Sequence, residues 1–118
     1  MNIFDLEGLS EKEEVIKILA ESKNVKIEKI ISTGQTTDWQ ESEQNEFVIL
    51  VQGEAEIEYF KDKNFEKNEN IIKNQRKTNN KKLQLEKGDT VLINRGEKNR
   101  VSYTSKNPCC IWICIFFD

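Results

Sequence analysis

Residues 45–59, NEFVILVQGEAEIEY, carry the reading of the fold. Phe47 to Val51 is an unbroken apolar run that Gln52-Gly53 stops; beyond it Ala55, Ile57 and Tyr59 alternate with Glu54, Glu56 and Glu58. A period of two sends successive side chains to opposite faces. The second segment is therefore a strand with one wet face, and Gly53 supplies the turn between two strands. The same pattern extends outward in both directions. Val25 and Ile27 alternate with Lys26 and Glu28 as far as Gly34, and Leu83 and Leu85 run into Lys87-Gly88-Asp89. Thr90–Ile93 is broken by Gly96, Val101 and Tyr103 resume the sheet, and Pro108 precedes Cys109–Phe117. Many short strands separated by turn residues predict an all-β sandwich or barrel. The last strand is apolar on both faces, so both must be covered, by core inside and by a helix or second subunit outside.

Two segments depart from this period. Ser10 stands three residues before Glu13, a capping-box spacing, and Val15, Ile16, Leu19 and Ala20 recur at helical intervals. A short amphipathic helix over 11–22, packed outside the barrel, is the expectation. Lys61–Lys82 holds eight basic residues and six asparagines against three acids, a local charge of +5 that leaves −8 for the rest of the chain. Such a stretch reads as a long, poorly ordered loop insertion between strands. It has no aromatic interleaving of the kind that grips nucleic acid.

The 118 residues suit one domain, 1–118, with the barrel over 25–118. A net charge of −3 gives no reason to expect a nucleic-acid partner, and no apolar run approaches the ~20 residues that cross a bilayer. The first residues are acidic and lack an apolar core, so no secretory signal is expected and a cytoplasmic location follows. Cys109, Cys110 and Cys114 lie in one apolar run. Cys110 and Cys114 share a face but stand ~13 Å apart along a strand, too far for a disulfide, so all three read as small buried hydrophobes.

Two segments resemble the conserved motifs of cupins. In GQTTDWQESEQNEFVILVQGEAEIEY, residues 34–59, Glu46 and Gly53 have the seven-residue spacing of the first motif. In GDTVLINRGEKNRV, residues 88–101, Gly88-Asp89 and Gly96 match the turns of the second. Trp39, Gln52-Gly53-Glu54-Ala55 and Trp112 are similar to features of small single-domain bacterial cupins. The resemblance covers Val25 to the C-terminus, apart from the insertion. It implies an RmlC-like jelly roll, the double-stranded β-helix of the family. The last strand, apolar on both faces, itself predicts a homodimer through Ile111, Ile113 and Ile115 or through Trp112 and Cys114, since parity sends one set outward.

The resemblance also implies a metal site, and here the chain departs from the pattern. Family spacing puts the first-motif histidines at Gln40 and Ser42, or at Trp39 and Glu41 if the gap is longer, and the second-motif histidine at Asn99. The chain has no histidine, and of the ligand set only Glu46 remains. One carboxylate, two amides and a hydroxyl are hard oxygen donors, unsuited to the borderline transition metals that imidazoles bind. No metal and no cofactor is expected.

Glu46 shares strand parity with Val48 and Leu50 and should face the interior, held by Asn99, Gln40 or Arg100. The pocket candidates are Glu46, Asn99, Gln40 and Ser42, with Trp39 at the mouth and Tyr103, of Asn99 parity, inside. Trp112 reads as core. No nucleophile has a histidine base beside it, and the glycines sit in turns. The leading expectation is a metal-free barrel that binds a small polar or anionic ligand or serves as a structural module. The alternative is an enzyme, isomerase- or epimerase-like with Glu46 or Tyr103 as acid or base, or one using an atypical metal site.

Overall fold

The computed structural model describes residues 1–60 and 80–118. Within them nine strands form two sheets: β1 (Val15–Glu21), β2 (Val25–Ser32), β3 (Gln40–Glu41), β4 (Asn45–Gln52), β5 (Ala55–Phe60), β6 (Asn80–Leu85), β7 (Thr90–Ile93), β8 (Lys98–Thr104) and β9 (Cys110–Phe117). The five-stranded sheet runs β1-β2-β9-β4-β7 and the four-stranded sheet β3-β8-β5-β6, with every pairing antiparallel. The chain is a jelly-roll barrel, as the two-residue period predicts.

Strand β9 is the spine of the larger sheet, paired along its length with β2 on one side and β4 on the other. Its inner face presents Cys110, Trp112 and Cys114 to a core shared with Val48, Leu50, Ala55, Ile57, Leu85 and Ile93. Fully buried aliphatic side chains such as Leu50 contribute about 1.5–3 kcal/mol each. Ile111, Ile113 and Ile115 have the opposite parity and face outward. Part of that outer face lies under the N-terminal segment, where the Lys29 Nζ donates to the Asp5 carbonyl at 2.6 Å.

Two turns lock the sheets together. Gly53 has φ +94°, and a Cβ there would meet the Cys109 carbonyl at 2.8 Å and the Cys110 Cα at 2.9 Å. The backbones approach too closely for a side chain, which is why the β4–β5 turn carries glycine. The Lys87-Gly88-Asp89 turn hangs on β4, with Gly88 N donating to the Leu50 carbonyl at 2.7 Å and Leu50 N to the Asp89 carbonyl at 2.9 Å.

The helix expected over 11–22 is absent, and Val15–Glu21 within it is the strand β1. Val15 pairs with Ile31 and Ile16 with Ile30, and the pairing slips by one residue between Ile18 and Ala20. That bulge at Leu19 puts apolar residues at irregular intervals that imitate a helical period. Val15, Ile16 and Ile18 are β-branched and favour the sheet. Ser10 does not cap: its Oγ accepts from Lys12 N at 3.1 Å, a local turn two residues long. The insertion is shorter than expected at its C-terminal end, because Asn80, Lys81 and Lys82 belong to β6 and pair with Phe60, Tyr59 and Glu58. The rest of that expectation, 61–79, lies outside the described residues.

Candidate functional site

Between the two sheets lies a partly open cavity of about 430 Å³, within the range of small-molecule sites. Its floor is apolar, with Val48, Ile57, Ile93, Val101, Trp112 and Phe116 in the lining. The lining also includes the polar Gln40, Ser42, Glu46 and Asn99, four of the six residues singled out from the sequence. Asn99 is nine-tenths buried and pairs in register with Gln40 across β8 and β3. Its Nδ2 donates to Ser42 Oγ at 3.2 Å. The three positions to which family spacing assigns histidines therefore converge on one wall, in the alignment that uses Gln40 and Ser42.

Glu46 enters from β4, where it pairs with Phe116 of β9 and Ile93 of β7. Burial raises its carboxyl above the usual range; the Cys114 thiol opposes the shift and the nearby Glu28 carboxylate adds to it. Burial pushes the Cys114 thiol far up, and the Glu46 and Glu28 carboxylates push it further. Cys114 thus stays a protonated thiol packed against Glu46. Cys109, Cys110 and Cys114 are all buried and free. Trp112 is core and also wall: its Nε1 donates to the fully buried Ser32 Oγ at 3.1 Å, and Ser32 Oγ donates to a Glu14 oxygen at 2.8 Å.

Two candidates lie elsewhere. Tyr103 is half exposed and is not part of the lining. Pairing between β5 and β8 passes from Ile57↔Val101 to Glu56↔Tyr103, so Ser102 is an extra residue that reverses the alternation. Trp39 lies on the outside of the four-stranded sheet. There it stacks on Phe60 at 4.8 Å between ring centroids, and the Arg100 guanidinium sits 4.9 Å over its ring. Arg100 does not hold Glu46 either. It has the parity opposite to Val101, and its Nη2 donates to the buried Glu58 at 2.8 Å.

The sequence reading missed Glu14, Lys26, Glu28 and Cys114, all of which line the cavity. Glu14 falls in the segment taken for a helix, and Lys26 and Glu28 look like the wet face of β2. The available signal was Ile30, which shares their parity and is inside.

Solved structures similar to this chain include cupin superfamily proteins, and the chain has the cupin barrel fold. A protein of Ralstonia eutropha described as a candidate mannose-6-phosphate isomerase is 26% identical, with a TM-score of 0.79, over 100% of this chain and 96% of that one. A cupin superfamily protein of Desulfitobacterium hafniense superposes with a TM-score of 0.68 at 18% identity, over 95% of this chain and 84% of that one. A cupin domain of Bordetella pertussis does so with a TM-score of 0.60 at 12% identity, over 94% and 99% of the two chains. No family model and no curated protein sequence matches the chain.

The donor set does not fit the transition metal that the cupin fold implies. At the positions to which family spacing assigns the ligands stand the Gln40 and Asn99 amides, the Ser42 hydroxyl and the Glu46 carboxyl, with no imidazole among them. Among the described residues no group of three or more cysteine, aspartate or glutamate side chains is arranged to hold an ion. No helix among those residues is long and apolar enough to cross a membrane.

Proposed function

We propose that this chain is a small-molecule-binding cupin barrel that works without a transition metal, its ligand held beside Glu46 in the interior cavity. The observation that carries the reading is the cavity itself. A barrel serving only as a structural module would fill the space between its sheets; here about 430 Å³ stays open, walled by Gln40, Ser42, Glu46 and Asn99. A concave apolar floor with a few convergent polar groups is the usual form of a ligand site. Three unpaired cysteines suit a reducing, cytoplasmic setting. The test is a binding screen of small polar compounds read by thermal shift, comparing wild type with a Val48→Trp variant that fills the cavity. A ligand that stabilises wild type and loses its effect in the filled variant supports the reading. Hits that stabilise both proteins equally contradict it.

A second reading, an isomerase-like enzyme without metal, draws on the raised Glu46 carboxyl inside the cavity. A carboxyl tuned toward neutrality can donate and accept a proton at one carbon. Solvent-deuterium incorporation into a candidate sugar checks it, and no incorporation across such substrates counts against it.

The same proposal includes a homodimer formed through the outer face of the five-stranded sheet. Ile27, Phe47, Ile49, Ile113 and Ile115 lie on that face only partly buried, and Leu92 there is 52% exposed. Contiguous apolar surface of this kind marks an interface. Sedimentation should give a dimer at micromolar concentration, and a monomer there contradicts the proposal.

A further inference from the structure

We infer that the cavity takes a small organic cation, an amine with an apolar body, and turns anions away. The inference rests on the ligand-binding reading and adds the class of ligand. Among the described residues five glutamates line the cavity, Glu14, Glu28, Glu41, Glu43 and Glu46, against one cation, Lys26. That lysine is already engaged: its Nζ lies 3.2 Å from Glu28 and 5.0 Å from the centre of the Phe116 ring. Arg100, the other cation that the sequence places near Glu46, is on the far face of its sheet, bound to Glu58.

An anion entering this space would lose water and meet carboxylates with no free cation among the described residues to offset them. An ammonium group carries three hydrogen-bond donors and no acceptor, so it needs a wall of acceptor oxygens. The cavity offers them in Glu46, Gln40, Ser42 and the nine-tenths-buried Asn99, whose amide hydrogen goes to Ser42. Below that wall the floor of Val48, Ile57, Ile93, Val101 and Trp112 receives an apolar body. Ile16, 56% exposed, continues the apolar surface along the lining on β1. The charge pattern of the described lining runs opposite to what a sugar phosphate would require.

The two tryptophans provide both a reporter and a control. Trp112 lines the cavity and Trp39 lies outside the barrel. Isotope-labelled protein is titrated with hexylamine, hexanol and hexanoate, three probes matched in their apolar body and differing in charge. The expected result is a saturable shift of the Trp112 indole N–H signal with hexylamine. Hexanol should bind at least ten-fold more weakly, hexanoate should have no effect, and Trp39 should stay still. Glu28→Gln and Glu46→Gln should each weaken hexylamine about ten-fold, a change of about 1.4 kcal/mol, and narrow the gap to hexanol. Hexanol or hexanoate binding as tightly as hexylamine overturns the inference while leaving the cavity a ligand site. Failure of all three probes to move Trp112 counts against both.

Discussion

Asn99 and Ser42 are hydrogen-bonded to each other across the cavity wall, Nδ2 to Oγ at 3.2 Å. Family spacing assigns histidines to both positions, and here an amide and a hydroxyl stand there, bonded to one another.

It follows that donors can be put back. The triple variant Gln40→His, Ser42→His and Asn99→His, with Glu46 retained, should gain micromolar or tighter affinity for Zn²⁺ or Ni²⁺ that wild type lacks. Imidazoles at these positions beside one carboxylate form a borderline-metal site. Calorimetric titration of both proteins checks this. A folded triple variant that binds metal no better than wild type contradicts the placement of these residues.

Most of the barrel was legible in the sequence because turn glycines and two-residue alternation are local signals. Gly53, Gly88 and Gly96 mark turns where only the backbone has to be read. What was not legible depended on bulges and on which face is wet. The bulge at Leu19 made β1 look helical, and the extra Ser102 turned Tyr103 outward after Asn99 and Val101 had pointed in. The site itself inverts the usual pattern. Near the cavity Glu28 and Glu46 face inward, while Ile27, Phe47 and Ile113 face outward, so a reading that sends polar residues to solvent assigns β2 backwards.

The close approach at Gly53 gives a paired test. Gly53→Ala combines a positive φ with contacts to the Cys109 and Cys110 backbone at under 3.0 Å, whereas a Cβ at Gly88, φ +91°, meets nothing within 4 Å. Positive φ alone costs an alanine about 1–2 kcal/mol. Urea unfolding should show a loss of that size for Gly88→Ala and a clearly larger one for Gly53→Ala. Equal losses would mean that the β4–β5 turn is not packed against the start of β9.

Arg100 and Glu58 test the assignment of faces. Removing the arginine strands a carboxylate whose side chain is 7% exposed, while the arginine itself is 38% exposed and partly screened. Arg100→Ala should cost about 1–3 kcal/mol and leave hexylamine binding unchanged. A loss of binding without a loss of stability would place Arg100 in the cavity after all.

Glu46 decides between a working site and an architectural remnant, and chemical denaturation of Glu46→Gln beside wild type at pH 4 and pH 7 reads the difference. The folded state holds this carboxyl above its ordinary value of 4.5, mainly through burial, so the folded protein binds the proton more tightly than the unfolded chain. The resulting penalty is absent below the ordinary value and grows as pH rises through the folded one. The account predicts a glutamine variant as stable as wild type at pH 4 and equally or more stable at pH 7. A loss of about 3 kcal/mol or more at pH 7, the cost of breaking a buried charged pair, would contradict it.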